Sequence, residues 1–412
     1  MTLQEQARTE AVLGAEEQAL IELSNKIIQA AISDRASDIH IDPELKETKI
    51  RFRIDGVMHD VLALPRSVHN PLVNRFITMG DMDTGDRVSI QHGRVEVHHE
   101  SRGYDLRETA LPSVWGEKVV VRIFDQSAAL LSLDRLGYRE TDRKRLDECL
   151  CSPMGLAVFT GPSGCGKTTV MYGAMSQLTR PEKTLYSIED PVEVRLPGVT
   201  QIQVNRKAGL MFAEVLRGLM RADPDVIMVG DVRDLATAET CFQAALTGHL
   251  VLTQLHATTA LGAIQRLWDM GVEPFIMASS LLMVSAQRLV RRICTECKQP
   301  AEYPAQLMAE WRKRAEEGGL VWPDEPPTFY KGKGCDRCRK TGYYGRMAIF
   351  EILVSDKHIA ELIATRADLS HVREAAIRRG MTTMLADGMA KAMAGQTTVE
   401  EVLRVLAGVL PV

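Results

Sequence analysis

Apolar residues recur at helical spacing through residues 16–33, EEQALIELSNKIIQAAIS, where Leu20, Leu23, Ile27 and Ala31 share one face. The pattern then switches to alternation. SDIHID sets Ile39 and Ile41 on one side, and KIRFRIDGVMHDV sets Ile50, Phe52 and Ile54 opposite Arg51 and Arg53. Asp55-Gly56 between two such runs is a hairpin signal, because both residue types tolerate positive φ. A helix is predicted over 69–80, then strands at GRVEVH, YDLRETAL and KVVVRIF. Residues 1–126 therefore read as a small α+β domain, with DQSAALLSLDRLGY at 125–138 as the connection to a second domain.

From Leu156 the pattern changes again. LAVFT is a short apolar strand, followed by a Gly-rich loop and the helix TTVMYGAMSQL. Further apolar strands at TLYSI, DVIMVG and LVLTQL alternate with helical segments, which predicts a mostly parallel sheet covered on both faces. After Arg292 comes a cysteine-bearing insert that includes the polar stretch WPDEPPTFYKGKG. The last 57 residues, from Asp356, read as helical, and Thr398 with Glu401 has capping-box spacing at the start of VEEVLRVLAG.

Composition narrows this only a little. The 412 residues suggest two or three domains. A net charge of −4 gives no reason to expect a nucleic-acid partner. No run of 18 apolar residues occurs and the N-terminus lacks a secretory pattern, so membrane association is expected only through partners. Eight cysteines in a chain of this kind argue against a disulfide framework, and Cys149, Cys151, Cys165 and Cys241 read as buried free thiols.

The chemistry concentrates in the Gly-rich loop. Gly161, Pro162, Ser163, Gly164, Cys165, Gly166, Lys167, Thr168 and Thr169 fit the phosphate-loop pattern G-x-x-x-x-G-K-[ST]. The glycines let backbone N–H groups converge on phosphate, Lys167 brings charge to the β- and γ-phosphates, and the Thr168 hydroxyl is a Mg²⁺ ligand. The absence of NKxD and LSGGQ motifs points to ATP rather than GTP, and away from a transporter cassette. Asp231 ends the strand DVIMVG, where a carboxylate reaches the phosphate crevice. The other reading is an N-cap for the helix that follows. Glu189, in YSIEDPVE, stands where an acid activates water, or is a solvated turn acid. His249 and His256 flank the strand LVLTQL, and His256 reads as a phosphate sensor or as a structural hydrogen-bonder.

Cys294-x-x-Cys297 and Cys335-x-x-Cys338 form two knuckles 37 residues apart. Four thiolates in that arrangement make a closed structural site, for which Zn²⁺ fits best; an Fe–S cluster and unrelated cysteines are the other readings.

These pieces, in this order, resemble the GspE/PilB family, the secretion ATPases of type II secretion and type IV pilus assembly. The resemblance rests on ASDIHID, RFRIDG, GPSGCGKTT, SIEDPVE, RADPDVIMVGDVRD, AALTGHLVLTQLHA, AQRLVRRIC and the tail GMTTMLADGMAKAMAGQTTVEEVLRV, and spans nearly the whole chain. It implies an α/β fold: an N-terminal α+β PAS-like domain (1–126), a linker (127–138), a RecA-like P-loop ATPase core (139–292), a zinc-binding insert (293–345) and a C-terminal strand and helical subdomain (346–412). It also implies a homo-hexamer at the cytoplasmic face of the inner membrane, peripheral and held by a platform protein, that turns ATP hydrolysis into pilus or pseudopilus assembly. Glu189 falls on the family's catalytic acid, and His249 and His256 on its histidine box. Arg94 and Arg107 fall on arginines that reach the nucleotide; as residues of two strands they equally suit surface ion pairs.

The sequence departs from the family in three places. Asp231 replaces the usual glutamate, which leads to an expectation of slower hydrolysis. ATTA follows His256 where the family has an Asn-Asp pair. Only 15 residues precede the first amphipathic pattern, so the extra docking domain of many members is expected to be missing, as in a short pilus-type ATPase. The zinc element is carried by assembly members and absent from retraction members, which separates this reading from its rivals: a retraction or DNA-translocating motor, or an ATP-binding ring with little turnover.

Overall fold

A computed structural model describes residues 3–100, 102–125 and 132–408, with side chains described from residue 18. The chain divides into two compact units, Met1–Ala128 and Ala129–Val412. Part of the expected connection, residues 126–131, lies outside the described residues.

In the first unit, helix α1 (Leu3–Ser33) precedes β1 (Ala36–Pro43), β2 (Glu47–Ile54) and β3 (Val57–Pro65). Helix α2 (His69–Met79) leads to β4 (Gln91–His99), β5 (Arg102–Leu111) and β6 (Lys118–Asp125). The six strands form one antiparallel sheet in the order β3-β2-β1-β6-β5-β4. Alternation decides its faces. Ile39, Ile41, Ile50, Phe52, Leu106 and Val121 bury against the helices. On the opposite face Arg51 pairs with Asp42 at 2.6 Å and Arg122 with Asp38 at 3.0 Å. The Asp55-Gly56 turn has φ of 49° and 84°, the doubly left-handed geometry that matches strand twist. Helix α1 is longer than the periodic stretch predicted.

The second unit begins with Leu133, which is buried, and Tyr138, whose ring stacks on Phe350 at 3.7 Å. Then come α3 (Glu140–Leu150), β7 (Gly155–Thr160), α4 (Lys167–Leu178), β8 (Leu185–Glu189), β9 (Val199–Gln203), α5 (Phe212–Leu219), β10 (Val226–Val229), α6 (Leu235–Leu246), β11 (Leu250–Leu255), α7 (Ala260–Asp269) and α8 (Pro274–Ser280). The chain continues through β12 (Leu281–Ile293), β13 (Lys298–Ala301), α9 (Ala305–Glu317), β14 (Phe329–Gly332) and β15 (Tyr343–Val354). It ends in helices α10 (Lys357–Ala364), α11 (Leu369–Arg378), α12 (Met384–Met393) and α13 (Val399–Leu406).

The main sheet runs β15-β12-β7-β11-β10-β8-β9. Its strands are parallel except β15, which pairs antiparallel with β12. β7 and β10 are buried along their whole length, as strands covered on both faces must be. Alternate residues feed two cores: Leu156 and Val158 join one, Ala157 and Phe159 the other. The cysteine insert is spliced between the paired strands β12 and β15, and its Trp311, Trp322 and Phe329 belong to the same core as Leu156 and Val158 of β7. Thr398 caps α13 by accepting from the Glu401 N–H at 3.1 Å. The Glu401 carboxylate does not return the capping bond; it binds Arg291 at 2.8 Å and Arg404 at 2.7 Å.

Candidate nucleotide site and four-cysteine element

β7 ends at Thr160, and the chain turns through Gly161–Gly166 into α4, whose first residue is Lys167. Gly161, Gly164 and Gly166 have φ of 147°, 74° and 89°, a region where side chains are strained. A Cβ on Gly161 would lie 2.5 Å from the Gln287 carbonyl oxygen and 2.6 Å from Cys165 Sγ. The loop is braced by β12: the Gln287 amide donates to the Cys165 carbonyl at 2.8 Å. Lys167 is buried, and its ammonium donates to the carbonyls of Gly161 at 2.7 Å and Pro162 at 3.1 Å. Burial lowers the pKa of this lysine, opposed by the charges of Cys165 and Asp231. Pro162 is half-buried and Ser163 and Gly164 are exposed, while Thr168 and Thr169 lie on the first turn of α4.

Strands β8 and β10 end at the same edge of the sheet as β7, which is where parallel α/β sheets collect ligands. Glu189 closes β8 and is 4% exposed, so it is no solvated turn acid. One of its oxygens accepts from the Tyr172 hydroxyl. The other accepts from Ser187 at 2.6 Å and from the Gln201 amide at 3.0 Å. Asp231 comes after Gly230, where a Cβ would lie 2.9 Å from the Ile188 carbonyl oxygen, so only glycine lets β10 pass so close to β8. Asp231 is not the cap of α6; that role belongs to Asp234, which accepts from the Thr237 N–H at 2.8 Å. Asp231 Oδ2 binds Arg233 at 2.6 Å and lies 3.5 Å from His256 Nε2. Its Oδ1 is buried without a hydrogen-bond partner among the described residues. A cavity of about 60 Å³ opens here, lined by Thr168, Glu189, Asp231, Arg233 and Gln254 among others.

His256 emerges from β11 at this edge and its side chain is half exposed. His249 stands at the opposite end of β11, about 20 Å of strand away, where its Nδ1 lies 2.8 Å from the Ala244 carbonyl oxygen. The structure therefore separates the two histidines, and only His256 belongs to the site. Arg94 and Arg107 lie directly opposite each other on β4 and β5 of the first unit. Both bind Asp105, at 2.7 and 3.3 Å, and the Arg107 guanidinium lies 4.2 Å from the Phe124 ring centre. Among the residues of the site, Gln287, Arg233, Tyr172, Ser187, Gln201 and Gln254 escape sequence reasoning. For Tyr172 a signal existed, a hydroxyl one helical turn beyond Thr168 inside the otherwise apolar run from Val170 to Met175.

The four cysteines of the insert come together. Their sulfurs all lie within 4.8 Å of one another, with Cys294–Cys335 and Cys297–Cys338 at 3.8 Å and Cys335–Cys338 at 3.7 Å. A Zn–S bond of ~2.3 Å in a tetrahedron gives an edge of ~3.8 Å, so the thiols suit one Zn²⁺. Backbone N–H groups point at the sulfurs, from Cys335 and Gly342 to Cys338 at 3.1 and 3.3 Å and from Gly334 to Cys297 at 3.3 Å. Of the remaining cysteines, Cys149, Cys165 and Cys241 are buried as expected, but Cys151 is exposed because it lies just past the end of α3.

The family model described as "Type II/IV secretion system protein" matches residues 14–404. The chain is 42% identical over 400 residues to a Pseudomonas aeruginosa protein named "Type II secretion system protein E", covering 96% of this chain and 78% of that one. It is 39% identical over 396 residues to the Myxococcus xanthus "Type IV pilus assembly ATPase PilB", covering 94% and 68%. Among solved structures, the Legionella pneumophila ATPase DotB superposes with a TM-score of 0.66 at 19% identity, covering 93% of this chain and 95% of that one.

Proposed function

The chain belongs to the type II/IV secretion system protein family, and from that premise we propose an ATP-hydrolysing motor that powers assembly of a pilus or pseudopilus. The observation that carries this reading is the convergence of Thr168, which directly follows the phosphate-loop lysine, with Glu189 and Asp231 on one cavity at one sheet edge. Among the described residues no helix is long and apolar enough to cross a membrane. The chain works as a homo-hexamer at the cytoplasmic face of the inner membrane, held there by a platform protein that receives the stroke. The first unit serves as the family's PAS-like domain.

The residues divide the chemistry. Backbone N–H groups of Gly161–Thr169 bind the phosphates of ATP, and Lys167 places its ammonium against the β- and γ-phosphates. Thr168 Oγ1 and the unpartnered Asp231 Oδ1 are hard oxygen donors of the kind Mg²⁺ requires. Mg²⁺, when bound, supplies charge neutralisation at the phosphates. Glu189, held by its three donors, orients the attacking water and takes up its proton. His256 lies close enough to Asp231 to sense the γ-phosphate end of the site, and Arg94 and Arg107 supply positive charge to the transferring phosphoryl group. The four thiolates hold a structural Zn²⁺ and take no part in hydrolysis.

Phosphate release by the purified full chain with Mg-ATP tests this reading against its Lys167→Ala and Glu189→Gln variants. Both variants are expected to fall to background. Wild-type protein no faster than Lys167→Ala would leave an ATP-binding ring without turnover, and the motor reading would be lost.

A further inference from the structure

Tyr172 is fully buried, and among the buried residues of α4 it alone carries a hydroxyl. Its oxygen accepts from the N–H groups of Glu193 at 3.2 Å and Val194 at 3.4 Å. With both lone pairs taken, its single proton has one direction left, and it points at Glu189 Oε2. The second carboxylate oxygen is held as firmly. Gln201 spends one amide hydrogen on Glu189 and the other on the Val194 carbonyl, both at 3.0 Å, and its own oxygen accepts from the Leu196 N–H at 2.7 Å. The Gln201 amide therefore cannot flip without breaking bonds at Leu196 and Val194. The plane of the Glu189 carboxylate is set by groups that are themselves set.

The position of Tyr172 in α4 matters as much as its contact. Thr168 and Tyr172 are four residues apart on one helix, so they lie one above the other on the same face. Helix α4 starts at Lys167, directly after the phosphate loop. The helix that carries the phosphate-binding and hydroxyl groups thus also carries the group that orients the carboxylate across the cavity. We propose that Tyr172 is the positioning residue of Glu189, fixing the distance between the water-activating carboxylate and the phosphate loop through one turn of α4. This rests on the reading of Glu189 as the base. Burial, reinforced by the Glu189 charge, pushes the phenol pKa well up, so Tyr172 stays protonated and remains a donor.

The test compares wild type, Tyr172→Phe and Glu189→Gln in the full chain. It is read as kcat, KM for Mg-ATP, and affinity for a fluorescent ATP analogue. Phenylalanine fills the same space and removes only the hydroxyl. Loss of alignment is expected to lower kcat by a factor on the order of ten to a hundred, with KM and analogue affinity within about twofold of wild type. Glu189→Gln is expected at background turnover with analogue affinity kept, which marks the floor that loss of the carboxylate itself reaches. A kcat for Tyr172→Phe close to wild type overturns the proposal. So does a loss of analogue affinity in proportion to the loss of kcat, which is what a general weakening of the fold would produce. If Glu189→Gln alone hydrolyses ATP at the wild-type rate, the base reading fails first and the proposal with it.

Discussion

Glu108 on β5 offers a sharp test of how burial sets the stability of the first unit. Its side chain points to the helix-covered face of the sheet and is 1% exposed, and among the described residues neither carboxylate oxygen has a hydrogen-bond partner. It sits against Gly80, where an added Cβ would lie 2.8 Å from Oε2. Burial raises its pKa to about 8, opposed only by the charge of Arg75. The unfolded chain ionises this group near 4.5. A carboxyl whose pKa is higher in the folded state contributes its full stability below pH 4.5 and loses it as the pH rises toward 8. The shift of ~3.5 units corresponds to ~5 kcal/mol lost above pH 8, of which ~3 kcal/mol is already gone at pH 7. Glu108→Gln stays neutral at every pH. Its β4–β5 amides are therefore expected to match wild type in hydrogen-exchange protection at pH 4.5 and to exceed it at neutral pH by roughly 3 kcal/mol. Exchange measured by mass spectrometry on the full chain, corrected for intrinsic rates, gives the comparison. A difference between the two proteins that does not change from pH 4.5 to 9 would refute the assignment of a buried, neutral Glu108.

Single contacts make further predictions. Gly161→Ala drives a Cβ into the Gln287 carbonyl and Cys165 Sγ; it is expected to abolish binding of a fluorescent ATP analogue and to lower stability by ~1–3 kcal/mol, read by titration and thermal melting. Lys391 is buried, bonded to Asp387 at 2.6 Å and to the Ala348 carbonyl at 2.7 Å. Lys391→Met leaves the Asp387 charge with only Arg139, at 3.2 Å, as a cationic partner, and is expected to cost ~3–5 kcal/mol in urea denaturation. Cys297→Ser removes one of four thiolates; elemental analysis is expected to find zinc near one equivalent in wild type and far less in the variant, with a lower melting temperature. Equal zinc in both proteins would count against the four-thiolate site.

Much of this molecule is written locally. The alternation at Ile50, Phe52 and Ile54, the Asp55-Gly56 turn, the apolar run of β7 and the glycines after it each depend on neighbours within a few residues, and the period of the apolar positions carries that information. The two Cys-x-x-Cys knuckles also announce themselves, because two cysteines on one tight turn present both sulfurs to a common centre before anything else packs. Partners far apart in the chain carry no such mark. The tertiary structure alone brings β12 beside β7 and so puts Gln287 under the phosphate loop. It hands the capping role to Asp234 rather than Asp231 and puts Arg233 on the freed carboxylate. It also turns Tyr172 from one more core residue into the donor aimed at Glu189. Hydrophobic periodicity says which face of an element is buried; which polar atom meets which is decided only when whole elements pack, since a hydrogen bond is made or lost over less than an ångström.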